Sequence, residues 1–513
     1  MREAEIAVVQ HWATEDQVLA TNWERGTVRS TPPPRALAPV LIFVGAVVAV
    51  ISSLGAPLIP AIAATMSTTL PTAQWALTVT LLVGAVATPV IGRLGDGPRR
   101  RTVVLVVLAV VTLGGLLAAL PLDLVWLIVG RGLQGFGLGL TPLAIATARE
   151  SLEGERSRST ITALSLTVVA GVGFGYPLAG LIAELGGVHA AFWAGAGVSF
   201  AALVVSAAVI PPSHTTSSRR LDVLGAVLLG AGLAGALFAL GEAEVWGWTS
   251  PVPWVLIGGS ALLLVCWTTW ELRTPSPLVD LRLARGPIAA TAHSAALLVG
   301  LSNYLLLAAV PVLVQAPDAR GQGFGASIVV AGLALLPFSV ASVLAGRFAR
   351  LLADRAGPNR GLPVAALVQG GAFILFWFLR TELWQVFLVM AVAGLGVGAA
   401  FAAFPALIIS SVPSSETASA MSLNQVLRYV GFAIGSALTA TVLAAATPEG
   451  AESPSSSGYS ALAVIGLAVC LLTAVVASLL PPRTTSQPSP PARRRTDLAG
   501  TDDERPAVSE PLT

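Results

Sequence analysis

Fourteen apolar segments, each long enough to cross a bilayer, constrain this chain more than any other feature. A span needs about 20 apolar residues, and about 17 can suffice. The first six segments run Ala38 to Ile59, Trp75 to Ile91, Thr102 to Leu120, Leu124 to Ala148, Thr160 to Ile182 and Ala190 to Ile210. Val223 to Leu240 and Pro253 to Trp270 follow, then Ile288 to Val314, Ala326 to Ala345, Leu362 to Leu379, Trp384 to Val412, Ala418 to Ala445 and Tyr459 to Leu480. With 55% hydrophobic residues, 11% charged residues and a mean hydropathy of +0.80, the chain reads as an all-α polytopic membrane protein.

The net charge of +2 says little about partners, and nothing in the chain supports nucleic-acid binding. Where the charge sits says more. The chain has no lysine, so all 29 basic residues are arginine. They cluster in alternate loops, beginning with Arg93, Arg99, Arg100 and Arg101, whereas the intervening loops hold only Arg320 and Arg380. The arginine-rich side is therefore expected to be cytoplasmic, and an even number of spans puts both termini there. Trp246 and Trp248 suit an aromatic belt at the outer boundary.

Cys266 and Cys470 fall inside apolar runs and have no metal-ligand spacing, so both read as packing residues. The first 35 residues lack the plan of a cleaved signal peptide, which leaves targeting to the first span. No nucleophile, base and acid triplet appears in the spans. Neither enzymatic activity nor a cofactor or metal is expected.

Three motifs carry chemistry. The loop Gly92-Arg93-Leu94-Gly95-Asp96-Gly97-Pro98-Arg99-Arg100-Arg101 packs an acid among arginines in a tight turn, where Asp96 can accept bonds from arginines or from a helix N-terminus. The fourth run contains Gly130-Arg131-Gly132-Leu133-Gln134-Gly135-Phe136-Gly137. An arginine inside a span normally faces a cavity or a partner, although one near the boundary can snorkel. The fifth run carries Gly171, Gly173, Gly175, Pro177 and Gly180, which suit close helix approach and a bend.

These stretches resemble the signatures of the major facilitator superfamily. Gly92, Asp96, Arg100 and Arg101 match its loop Gly-x-x-x-Asp-Arg/Lys-x-Gly-Arg/Lys-Arg/Lys, with Gly97 and Arg99 departing from it. The fourth run matches Gly-Arg-x-x-Gln-Gly-x-Gly at every defined position. The fifth is similar to the antiporter signature, departing at Tyr176 and Leu181. The resemblance implies two six-helix bundles. It also gives the loop a part in conformational switching, and Arg131 and Gln134 a part in proton coupling.

Internal echoes support the duplication. Gly92-Arg93-Leu94 returns as Gly346-Arg347-Phe348, Gly135-Phe136-Gly137-Leu138-Gly139 as Gly394-Leu395-Gly396-Val397-Gly398, and Ala163-Leu164-Ser165-Leu166 as Ala420-Met421-Ser422-Leu423. Spans one to six then pair with spans nine to fourteen, leaving two inserted transmembrane helices between them. The expected organisation is a disordered cytoplasmic tail at 1–37, a bundle at 38–210, the inserted pair with its linkers at 211–285, a second bundle at 286–480 and a second disordered tail at 481–513.

Fourteen spans, with Trp246-Gly247-Trp248-Thr249-Ser250-Pro251 between the inserted pair, resemble the drug/proton antiporter branch of the superfamily. That branch implies export of small amphipathic compounds across a bacterial plasma membrane by alternating access, with protons as the coupling partner. A uniporter, an importer or a transport-inactive scaffold or sensor is the alternative. Asn424, Gln425 and Arg428 can share one polar stripe in the thirteenth span, and with Asn303 and Tyr304 they are the cavity candidates. His293 and the span-end acid Glu150 are further coupling candidates.

The branch usually places an acid in its first span, and none stands in Val50-Ile51-Ser52-Ser53-Leu54-Gly55-Ala56-Pro57. With Arg131 and Arg428 as the ionised groups inside spans, and both expected to face the cavity, neutral or weakly anionic compounds should be preferred to cations.

Overall fold

The computed structural model describes residues 35–54, 58–68, 70–213, 221–317, 323–356, 360–448 and 453–479. The expected disordered tails, but for 35–37, lie outside the described residues, as do Arg320 and the loop arginines at 219 and 220. Among the described residues every regular element is a helix. That is the required outcome for backbone in hydrocarbon, where each N–H and C=O must be satisfied within its own segment.

The helices are α1 (Leu37–Ser53), α2 (Ile59–Thr65), α3 (Leu70–Gly95), α4 (Arg100–Ala119), α5 (Leu124–Gly135), α6 (Leu140–Ser151), α7 (Gly154–Val209), α8 (Val223–Trp246) and α9 (Pro251–Glu271). They continue as α10 (Leu281–Ala284), α11 (Pro287–Gln315), α12 (Ile328–Ala334), α13 (Leu336–Ala356), α14 (Gly361–Phe378), α15 (Leu383–Ser411), α16 (Thr417–Ala445) and α17 (Ser456–Ser478). Among the described residues, 12 helices are long and apolar enough to cross a membrane.

The difference from fourteen has two local causes. The first run is broken: α1 stops at Ser53 after 17 residues, and the chain restarts in α2 with Pro60 in its first turn. The fifth and sixth runs are joined in the 56 residues of α7, interrupted only at Gly187, whose φ of 80° is non-helical. A residue with a side chain would be strained there. Elsewhere the boundaries hold closely, as in α16 against the expected Ala418 to Ala445. The fourth run is one rod of α5 and α6 joined by a short 3₁₀ turn, Phe136–Gly139.

Two sets of helices pack among themselves. In the first, α1 and α4 pack on α7, and α5 on α3 and α4; in the second, α11 packs on α16, α13 and α14 on α15, and α17 on α14. The sets meet where α3 touches α16 and where α7 touches α13. Small residues make these approaches possible, as expected where van der Waals contact drives association. Gly135 lies on α3 at Thr80, and its repeat partner Gly394 lies on α13 at Phe338. Gly137 faces Val111 of α4, and Gly396 faces Gln369 of α14. Each glycine of one set thus packs on the helix that the duplication makes equivalent in the other.

Helices α8 and α9 pack on each other, and α8 also touches α3 and α16. The outer face of α9 is bare, with Val255, Leu262 and Val265 exposed, as suits a surface against lipid.

A close approach and an open helix site make a matched test. A methyl added at Gly135 would stand 2.6 Å from the Thr80 carbonyl oxygen and 3.0 Å from Val83 Cβ, neither of which can yield. At Gly180 nothing lies within 4 Å. Gly135→Ala should lower unfolding stability by about 1–3 kcal/mol, and Gly180→Ala should be neutral or gain up to about 1 kcal/mol. Denaturant titration of the detergent-solubilised protein measures both, and equal effects at the two sites would contradict this packing.

Candidate functional site

The α15–α16 turn has no cap of its own at the start of α16. A helix N-terminus carries orphan N–H groups and partial positive charge, and a C-terminus the reverse. Both ends of this turn are satisfied by charges from the other set of helices. Asp96, just past α3, accepts the N–H groups of Ala418 and Ser419 at 2.8 Å each and the Ser419 hydroxyl at 2.5 Å. Arg149, near the end of α6, donates to the carbonyls of Ile409 at 3.0 Å, Val412 at 3.1 Å and Pro413 at 3.3 Å, and to the Thr417 hydroxyl at 2.5 Å. An anion caps α16 and a cation caps α15, each across the interface.

Two ion pairs flank these caps. Arg93 Nη1 donates to Glu416 Oε2 at 3.0 Å, with both side chains buried. Arg100 donates to the Gly95 carbonyl at 2.6 Å, to that of Ala146 at 3.4 Å and to the Glu150 carboxylate. Glu150 also accepts the Ser213 hydroxyl at 3.0 Å. Arg101 donates to the Ala207 carbonyl at 2.7 Å. Gly92 lies flat against Ala418 and Ser422, which brings α3 onto α16. Of the two partners open to Asp96 from sequence, the structure shows the helix N-terminus; Arg93, Arg100 and Arg101 bond elsewhere.

The arginine of the fourth run is held by partners from neighbouring helices. Arg131 is fully buried, donating to the carbonyls of Ala76 at 3.0 Å and Ile51 at 3.2 Å and to Gln134 Oε1 at 2.7 Å. Thr80 in turn donates to the Arg131 carbonyl at 3.0 Å. Arg131 therefore ties α5 to α1 and α3, with carbonyl acceptors stabilising its buried charge.

The polar stripe of the thirteenth span is resolved differently. Asn424 donates to the Ala292 carbonyl of α11 at 3.1 Å. Gln425 reaches across the interface to the Leu138 carbonyl at 2.5 Å and to the Tyr429 hydroxyl at 3.0 Å. Arg428 lies over the Phe401 ring of α15, 4.6 Å from its centroid, with no partner for Nε. The three are buried but address three different neighbours. Tyr304 and Tyr429 each lie near Phe432, at 5.6 Å and 5.9 Å between ring centroids, and Tyr429 directly follows Arg428 in α16.

Asn303 is buried in α11. His293, also buried there, has no partner for Nδ1 and lines a narrow cavity with Glu416, Ser419 and Val279. In the fifth-run motif, Gly171 packs tightly on Ala49 of α1, Pro177 meets Gly332 of α12 across the interface and Gly180 is open. Gly173 and Gly175 are helical.

Sequence reasoning missed Glu416, Arg149 as a clamp, Ser419 and the rings of Phe401 and Phe432. A lone acid opening a span on the arginine-rich side was the available signal for Glu416. Nothing local announces that Arg149 reaches residues more than 250 positions away.

Burial pushes the Asp96 carboxyl up from 3.8 to about 6, against the opposing effect of its hydrogen bonds from Ser419 and Ala418. If separation of α3 from α16 returns Asp96 to water and its ordinary value, the closed arrangement binds more protons between about pH 4 and pH 6. Closure is therefore favoured as pH falls through that window, and the advantage fades above about 6. Spin labels on Arg99→Cys and Ser414→Cys, with Cys266 and Cys470 replaced, should report more closed molecules at pH 5 than at pH 7.5. Asp96→Asn, which cannot titrate, should abolish this pH response.

The sequence model of the Major Facilitator Superfamily matches residues 41–223 and 292–510. An uncharacterised MFS-type transporter of Bacillus subtilis (strain 168), YvkA, is 25% identical over 438 residues, covering 84% of this chain and 93% of that protein. A multidrug resistance protein B homolog of Mycobacterium tuberculosis (strain H37Rv) is 26% identical over 380 residues, covering 72% and 68%. The human organic anion transporter MFSD10 (TETRAN) superposes with a TM-score of 0.60 at 16% identity, covering 87% of this chain and 100% of that one. A peptide transporter, POT, solved in complex with sulfate, gives 0.58 at 15% identity, covering 86% and 94%. Twelve apolar helices and a family match across both sets of them make this chain a multi-pass membrane transporter of the Major Facilitator Superfamily.

Proposed function

We propose that the protein is a secondary active exporter of small amphipathic compounds, working by alternating access with proton coupling in a bacterial plasma membrane. In this reading α1 to α7 and α11 to α17 are two six-helix bundles, with α8 and α9 inserted between them. Counting α1 as a span and dividing α7 at Gly187 gives fourteen. The family match passes over 224–291, which supports treating the pair as an insertion. Arginine clustering supports a cytoplasmic position for the Gly92–Arg101 end and both termini.

The observation that carries the reading is the pair of caps on the α15–α16 turn. They close the cytoplasmic end through bonds that form only when the bundles meet, which is the behaviour of one state of a two-state carrier. Arg131 and Gln134 then act as positioning residues that hold α5 to α1 and α3. Arg428, Asn303, Tyr304, Asn424 and Gln425 are the cavity candidates, and Glu150 and His293 remain proton-coupling candidates.

A cation amid rings suits neutral or weakly anionic amphipaths. With Arg131 turned inward, Arg428 alone carries this preference. The multidrug-resistance names of several relatives, at about 26% identity, support a broad substrate class. A uniporter or importer is favoured by one observation: among the described residues every acid lies at or near a helix end or kink, or in a loop.

Inside-out vesicles given a panel of matched neutral, anionic and cationic compounds test the reading. Neutral and anionic members should be taken up with release of lumenal protons, and Arg428→Ala should narrow the preference over cations by about tenfold or more, since 1.4 kcal/mol is tenfold. Uptake unaffected by a proton gradient would reject the coupling. Strong uptake of cations by wild type, unchanged in Arg428→Ala, would reject the assigned cavity.

A further inference from the structure

Glu271, the last residue of α9, is 1% exposed. It belongs to none of the contacts between the bundles. Its Oε1 accepts the Val279 N–H at 2.6 Å, while its Oε2 is buried and has no donor. Beside it stands a second carboxyl. Asp222, the residue preceding α8, lies within hydrogen-bonding reach of Glu271. Asp222 Oδ1 accepts the Gly225 N–H at 2.9 Å, and Oδ2 accepts the Trp270 Nε1–H at 2.8 Å. The packing is tight: a methyl at Gly225 would lie 3.0 Å from Glu271 Oε2 and press on the Asp222 carboxylate.

Facing carboxylates cannot both be ionised without a counter-charge. Among the described residues no basic side chain forms an ion pair with either carboxyl. From the linker, Arg282 donates through Nη2 to the Leu272 carbonyl, and Asp280 accepts the Arg282 N–H. Arg273 forms no ion pair among the described residues. The helices packed on α8 present apolar side chains, Val90 from α3 and Leu423 and Val426 from α16. Among the described residues the ion pairs are Arg93 with Glu416 and Arg100 with Glu150.

We propose that Asp222 and Glu271 form a binding site for one proton at the arginine-rich end of the α8–α9 pair. The proton is bonded to one carboxyl and donated to the other, so the orphan Oε2 gains a hydrogen bond and the pair keeps a single negative charge. Removing it leaves two facing anions and loosens the hold of Glu271 on Val279. That releases the linker at 272–286, which leads into α11. The inference stands on the geometry of the pair, and it supplies a carboxyl for the coupling proposed above.

Infrared spectroscopy of the full-length protein in lipid nanodiscs, titrated from acid to alkaline pH, reads the carbonyl stretch of a protonated carboxyl directly. Wild type should retain such a band at neutral pH and lose it on alkalinisation. Glu271→Gln should abolish the band. Asp222→Asn should abolish it too, because the amide provides the donor that Glu271 lacks, and Asn preserves the cap of α8. Should Glu271→Gln fail to fold, Asp222→Asn decides alone. Absence of the band in wild type at neutral pH, or its survival in a folded variant, overturns the site. Proton flux in vesicles is read separately: flux without the band rejects the pair and keeps coupling, and the band without flux does the opposite.

Discussion

The closed end of this protein depends on a helix that cannot cap itself. The start of α16 presents N–H groups with no local acceptor, and the acceptor that satisfies them, Asp96, belongs to a segment 322 residues away. Any separation of α3 from α16 must expose those donors to water or leave them unsatisfied. The same holds in mirror image for the last carbonyls of α15 and Arg149. Because both caps act on one short turn, they form and break together. Charged hydrogen bonds of this kind contribute about 1.5–3 kcal/mol each, enough to favour one state and small enough to be reversed by a bound substrate or a changed protonation.

Much of this was legible in sequence where the signal is local and periodic. Length and hydropathy gave the helices, because hydrocarbon leaves the backbone few alternatives. The glycine echoes anticipated which helices meet, since a missing side chain is itself a packing instruction: Gly135 and Gly394 sit where the duplication demands. Asp96 was readable as an acceptor for arginines or for a helix end. Its partner at Ala418 and Ser419 was not, because nothing near Asp96 encodes a contact from the opposite bundle. Gly187 shows another limit: two spans expected with a loop are joined through a single positive-φ residue.

The two arginines inside spans separate what a motif implies from what an environment does. The charge on Arg131 is met by two carbonyls and an amide at 2.7–3.2 Å, so its field is absorbed where it arises. Arg428 has ring faces and backbone around it in place of carboxylates. A guanidinium over an aromatic ring is stabilised less than one bonded to carbonyls in the same low dielectric, which leaves it the more available to an incoming acceptor. Sequence treated both alike; both are buried, and what differs is the set of partners around each guanidinium.

The α8–α9 pair touches both bundles, through Val86 and Val90 of α3 and Leu423 and Val426 of α16. These contacts are apolar, and burial of apolar surface is non-directional. A helix held this way can slide along its neighbours at little cost, whereas the caps on the α15–α16 turn require one geometry. The arginine-rich end therefore combines polar contacts that require one geometry with apolar contacts that do not. The polar ties of the pair lie at its ends: Trp248 donates to Thr441 of α16 at 2.8 Å, and Asp222 with Glu271 holds the linker toward α11. Both ties lead into the second bundle. The polar tie of the pair to a neighbouring bundle helix thus runs to α16, while its contacts with α3 are apolar.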